Sequence, residues 1–118
     1  MSRETLQPIL ADLRAIKGVE AVAVVSRDGL LLAADVPNDV HGETFAIMSA
    51  TMLGAAITAN SELNKNMPHK VVVHSEDGHT TIAGAGANSL LVVATRNKND
   101  PTTDRAIESA VGKIKLLD

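Results

Sequence analysis

Leu6, Ile9, Leu10, Leu13 and Ile16 recur at three- and four-residue spacing, with Gln7, Asp12, Arg14 and Lys17 on the other faces. This pattern predicts an amphipathic helix. Pro8 has no N–H to give and fits best in a first turn, so the helix is expected to start near Thr5, with Thr5 as its N-cap and Gly18 as its stop. From Val19 to Ser26 the pattern changes to β-branched residues and alanine without polar alternation. Ser26-Arg27-Asp28-Gly29 then supplies a turn, and the apolar run resumes from Leu30 to Val36. Asp-Gly between two such runs predicts a hairpin, because the turn requires positive φ. A long helix follows from Gly42 or Glu43 to Asn64, and then three short strands: Lys70–Ser75, Thr80–Ala85 and Ser89–Thr95. Asp100-Pro101 reads as the N-cap and first position of a closing helix, with Ile107, Ala110, Val111, Ile114 and Leu117 on its apolar face.

The expected order is therefore α-β-β-α-β-β-β-α within one domain of 118 residues, with no internal repeat or linker. Val22–Val25 and Leu90–Ala94 are apolar on consecutive positions, as strands covered on both faces are. One five-stranded antiparallel sheet with helices on both faces is the economical arrangement of these elements.

The long helix is the informative segment. Eighteen residues separate Glu43 from Glu62, and none is charged. At 100° per residue, Phe45, Met48, Met52, Ala56, Ala59 and Leu63 fall on one side, expected to pack on the sheet. Ala46, Ile47, Ala50, Gly54, Ile57, Thr58 and Ser61 fall on the other, where a solvent-facing helix should carry Lys, Glu or Arg. Ala46, Ala50, Gly54 and Thr58 lie four apart and form a ridge of small side chains that allows close backbone approach. Lipid is a poor occupant for this face: Thr44, Ser49, Thr51, Thr58, Asn60 and Ser61 dilute the stretch, and basic flanks are missing. A loop or the last helix of the same chain is an alternative cover. A second copy of the helix across a two-fold axis is the reading preferred here. Val71, Val72 and Val73 add a second hint. At a sheet edge, with Lys70 as the only gatekeeper, they would invite strand pairing; a central position for this strand is equally compatible with the pattern.

Composition narrows the function classes. Phe45 is the only aromatic residue and the net charge is −3, so there is no basic-aromatic platform for nucleic acid. The absence of cysteine excludes disulfides and thiolate chemistry. The amino-terminal stretch leads directly into a charged helix rather than an apolar leader, which predicts a soluble cytoplasmic protein. His69, His74 and His79 bracket the predicted second hairpin with Asp77 between them, and His74 and His79 could come within metal-ligand reach across it, but the spacing matches no metal-ligand pattern and no metal or cofactor is expected. Gly84-Ala85-Gly86-Ala87 lies between strands, without the helix N-terminus that a phosphate loop needs, and reads as a strand end where groups crowd. Arg27 and Arg96 read as exposed cations without a role, and Ser75, though next to His74, forms no dyad with it because adjacent strand residues point to opposite faces.

The chain resembles the Roadblock family, which includes roadblock-type dynein light chains and the Mgl-type regulators of prokaryotic Ras-like GTPases. The resemblance rests on LADLRAIKGVEAVAVVSRDGLLLAADV, AIMSATMLGAAITA and KVVVHSEDGHTTIAGAGANSLLVVAT, together with the closing helix. It implies a profilin-like sandwich and a homodimer in which the strand matching Lys70–Ser75 continues the sheet into its copy and the uncharged helix packs on its copy. It further implies a non-catalytic module that scaffolds or regulates a small Ras-like GTPase. A ligand- or metal-sensing domain on the same fold, or a purely structural subunit, is the alternative. The sequence stops at Asp118 directly after the last helix, without the carboxy-terminal extension of the Mgl type, so activities that need such a tail are not expected.

Overall fold

A computed structural model describes residues 1–118. Its elements are α1 (Arg3–Arg14), β1 (Val19–Ser26), β2 (Leu31–Asp35), α2 (Gly42–Glu62), β3 (Lys70–Ser75), β4 (Gly78–Gly84), β5 (Ser89–Thr95) and α3 (Pro101–Leu117), in the order the sequence predicts. The strands form one antiparallel sheet in the order β2-β1-β5-β4-β3. The two hairpin-built halves meet at β1 and β5, the two strands with unbroken apolar runs, and both are covered on both faces.

Residue parity divides the core into two layers. Val22, Val24, Leu91 and Val93 point to one face, where α1 brings Leu6, Leu10 and Leu13 and α3 brings Ile107, Ala110, Val111 and Ile114. Ala23, Val25, Ile82, Leu90 and Val92 point to the other face, where α2 brings Ala46 and Leu53. β2 and β3 are opposite edges of the sheet, so α2, which links them, has to cross all five strands. Its 21 residues rise about 31 Å at 1.5 Å each, more than the roughly 20 Å width of a five-stranded sheet.

Several boundaries differ from the sequence reading by one to three residues, and two of them have a clear local reason. The cap of α1 is Ser2 rather than Thr5. Ser2 Oγ accepts from the Thr5 amide at 3.3 Å and Thr5 Oγ1 accepts from the Ser2 amide at 3.1 Å. This reciprocal pair caps the helix three residues earlier and moves Pro8 beyond the first turn, and the helix ends at Arg14, before Gly18. β4 starts at Gly78 rather than Thr80, leaving Glu76-Asp77 as a two-residue loop. Gly78 has φ +144°, and a Cβ there would run into the Thr95 carbonyl of β5, so only glycine lets the strands pair this early. The closing helix begins as read: Asp100 accepts from the Thr103 amide at 2.7 Å, with Pro101 at the first helical position.

Candidate interaction surface

β3 occupies a sheet edge, which decides between the two placements the sequence left open. The ladder to β4 shows which of its backbone groups are free. The Gly84 amide donates to the His69 carbonyl at 2.9 Å, so His69 and Gly84 form a hydrogen-bonded pair. In an antiparallel ladder such pairs alternate. With Val71 opposite Ile82 and Val73 opposite Thr80, those two valines are bonded to β4. The N–H and C=O groups of Lys70, Val72 and His74 therefore point away from the sheet. Lys70 is the only positive side chain along this edge, and Val73 is 39% exposed.

α2 borders this edge, and its orientation corrects the helical-wheel reading. Ala46, placed above on the outward face, is fully buried, and Ala50 and Ile57 are half-buried against the sheet. Met48, Met52 and Leu63, expected inside, are 50%, 36% and 64% exposed. The ridge Ala46, Ala50, Gly54, Thr58 accordingly runs obliquely from core to solvent, with only Gly54 and Thr58 exposed. The physical reason lies in the helix itself. Without charges the wheel has no polar pole, and the sheet took the small residues Ala46 and Ser49, which let the helix come close. A usable signal was present in Glu62. Stepping back from it by four and three residues gives Thr58, Ala55, Thr51, Met48 and Thr44, all exposed. Ile47, at 49% exposure, flanks this row. Ser61 is exposed on the same helix. The outward face is thus neutral throughout and carries large apolar side chains in its amino-terminal half.

The histidines do not converge on one point. His74 and His79 touch, with ring centroids 4.2 Å apart, and His69 lies at the other end of β3. His79 Nδ1 accepts from the Asn99 amide at 3.3 Å. That bond places the imidazole proton on Nε2, so this ring offers no lone pair outward without giving up Asn99. Asn99 also donates to Thr81 Oγ1 at 3.1 Å and accepts from Thr95 Oγ1 at 2.9 Å. The histidine thus belongs to a polar network that ties the loop before α3 to β4 and β5, which sequence spacing did not reveal. No group of three His, Cys, Asp or Glu residues is placed to hold a metal ion. No helix is long and apolar enough to cross a membrane.

Arg27 is not a free cation as expected; it is half-buried and donates to the Gly86 carbonyl. Asp118 fixes the same turn, accepting from the Asn88 amide at 3.1 Å and Ser89 Oγ at 2.8 Å. The Asn88 N–H, then the Ser89 hydroxyl, hold its carboxyl below the usual 3.8. A lowered folded-state value means that this contribution to stability is present above about pH 4 and lost as pH falls through the folded value. Asp118→Asn should therefore lower the melting temperature at pH 7 and narrow the difference between the wild type and the variant below pH 4. Thermal melts from pH 7 to pH 3 measure both.

A five-stranded antiparallel sheet sandwiched by helices, with β3 at an edge, defines the class: a profilin-like sandwich fold. The family profile described as Roadblock/LC7 domain matches residues 5–95, and the chain belongs to that family. It is 27% identical over 117 residues to the uncharacterized protein MJ0714 of Methanocaldococcus jannaschii, with 99% of each chain covered. The fold superposes on Myxococcus xanthus MglB with a TM-score of 0.88 at 14% identity, covering 96% of this chain and 94% of that one. Acanthamoeba castellanii profilin II is similar at a TM-score of 0.57 and 13% identity, with 99% and 95% covered.

Proposed function

We propose that residues 1–118 act as one non-catalytic Roadblock module that dimerises through the β3 edge and the outward face of α2 and, as a dimer, scaffolds or regulates a small Ras-like GTPase in the cytoplasm. The observation that carries this reading is the juxtaposition of two unsatisfied surfaces. The donors and acceptors of Lys70, Val72 and His74 point outward along β3, and α2, which crosses the sheet to reach that edge, carries an uncharged exposed face from Ile47 and Met48 through Thr51, Met52 and Ala55 to Thr58. An exposed apolar edge is normally blunted by charge, proline or a covering element. One strand paired with its own copy would satisfy the edge and bring the two α2 faces together by the same two-fold axis.

The GTPase half of the proposal rests on kinship with Mgl-type regulators, supported by family membership and by the fold shared with MglB. The expected mode is platform binding, in which the partner keeps its own catalytic groups and the dimer alters their placement. Purification of the tagged protein from its native cell should bring down a small GTPase, and the recombinant pair should bind differently in the GTP and GDP states. Equal binding in both states would reduce the reading to scaffolding, and recovery of a complex without any GTPase would favour the structural-subunit alternative.

A further inference from the structure

At the end of the sheet opposite the β3–β4 loop, the β1–β2 turn and the β4–β5 turn are tied together by Arg27. Its Nε and Nη2 both donate to the Gly86 carbonyl, at 3.2 and 2.9 Å, and its backbone N–H donates to the Asn88 carbonyl at 2.9 Å. Two glycines make this possible. A Cβ at Gly84 would stand 2.8 Å from Arg27 Nη2, and Gly86 has φ +111° with its Cβ position facing the Asp118 carboxylate. The guanidinium is thereby held in one place by a neutral carbonyl. It has no carboxylate within ion-pair distance; the molecule's one ion pair is Arg14–Asp35, at 3.2 Å.

Three of the five guanidinium N–H groups remain unused, and Arg27 borders a cleft of about 160 Å³ beneath the α2–β3 connection, walled by Pro68, His69, Gly86 and Lys115. This cleft runs into a second of about 250 Å³ that shares His69, Gly84 and Lys115 and adds Lys70. The acidic groups nearby are Glu108, on the far wall of the second cleft, and Asp118, whose carboxylate is turned onto Asn88 and Ser89.

We propose that this cleft binds a small oxyanion of the phosphate class, free or as a monoester. A planar guanidinium fixed before the ligand arrives, an ammonium and an imidazole on adjoining walls suit a compact, doubly charged tetrahedral anion. A carboxylate would use the fork alone and leave Lys115 unpaired. The glycine-lined wall permits close approach. The site lies at the sheet end rather than on the outward face of α2 and meets the proposed β3 seam only at its first residues, His69 and Lys70.

The test is a titration of the full-length protein with sodium phosphate against sodium chloride at matched ionic strength, followed by backbone amide NMR shifts, with glycerol phosphate as a second arm. Saturable shifts confined to Arg27, His69, Gly84–Ala87 and Lys115 are expected. Tighter binding of the ester would identify a phosphomonoester, and equal binding the free anion. Lys115→Gln, an exposed substitution that leaves the Arg27 tie untouched, should weaken binding about tenfold, and Arg27→Lys should do so while keeping the charge. Shifts that match chloride, or affinities unchanged in both variants, would overturn the proposal.

Discussion

Ala55→Glu should convert the proposed dimer to a folded monomer. Ala55 is at the centre of the row phased by Glu62, it is exposed, and glutamate is a good helix former, so the isolated subunit loses nothing. At a seam between two copies of α2, the same carboxylate is buried without a partner and faces its symmetry mate. Leaving a buried charge unpaired costs about 3–5 kcal/mol. A weakening of association by at least about 100-fold follows. Light scattering across a dilution series measures this, with circular dichroism as the control for folding. Gly54→Ala serves as the counterpart. A Cβ at Gly54 meets nothing within 4 Å, so alanine should stabilise the helix by about 1 kcal/mol and leave the subunit fold unchanged.

Val72→Pro separates strand pairing from folding. The Val72 N–H points away from β4, so proline deletes no bond of the ladder inside the subunit. Proline on the outer side of an edge strand is tolerated for this reason. In a β3–β3 pairing it removes one donor per subunit and orphans the carbonyl opposite, at about 1–3 kcal/mol each, twice per dimer. The expected result is a subunit with near-native secondary structure whose dissociation constant rises by a factor of about 30 or more. Val71→Pro is the contrast. The Val71 amide bonds to β4, so this substitution should destabilise the fold itself, whatever the oligomeric state. If both variants unfold alike, the edge assignment of β3 is wrong; if Val72→Pro stays dimeric, the pairing is.

Most of the fold was legible because periodicity and turn chemistry agreed. The unbroken apolar runs of β1 and β5 announced central strands, Asp28-Gly29 announced the first hairpin, and Asp100-Pro101 marked the start of α3. α2 was legible as a helix and as an unusual one, but not in its rotation. Ala, Ser, Thr and Met are nearly interchangeable on a neutral helix, and close approach to the sheet selected Ala46 and Ser49 over Met48 and Met52 for the interior. The position of β3 could not be read from its own residues and followed only from the family resemblance. Edge and centre differ in what pairs with the strand, and three valines suit both. Arg27 was misjudged, and the part His79 plays in the polar network went unseen, for a common reason: their partners, Gly86 and Asn99, lie 59 and 20 residues away, and backbone groups leave no trace in side-chain spacing.

The claim that a second copy covers β3 is tested most directly by amide hydrogen exchange on the unmodified protein, read residue by residue along that strand. Val71 and Val73 are bonded to β4 and should be protected in any event, which makes them internal references. The account predicts that Lys70, Val72 and His74 are protected as well, and that this protection falls on dilution. Free exchange at those three amides beside protected neighbours, at every concentration, would contradict it.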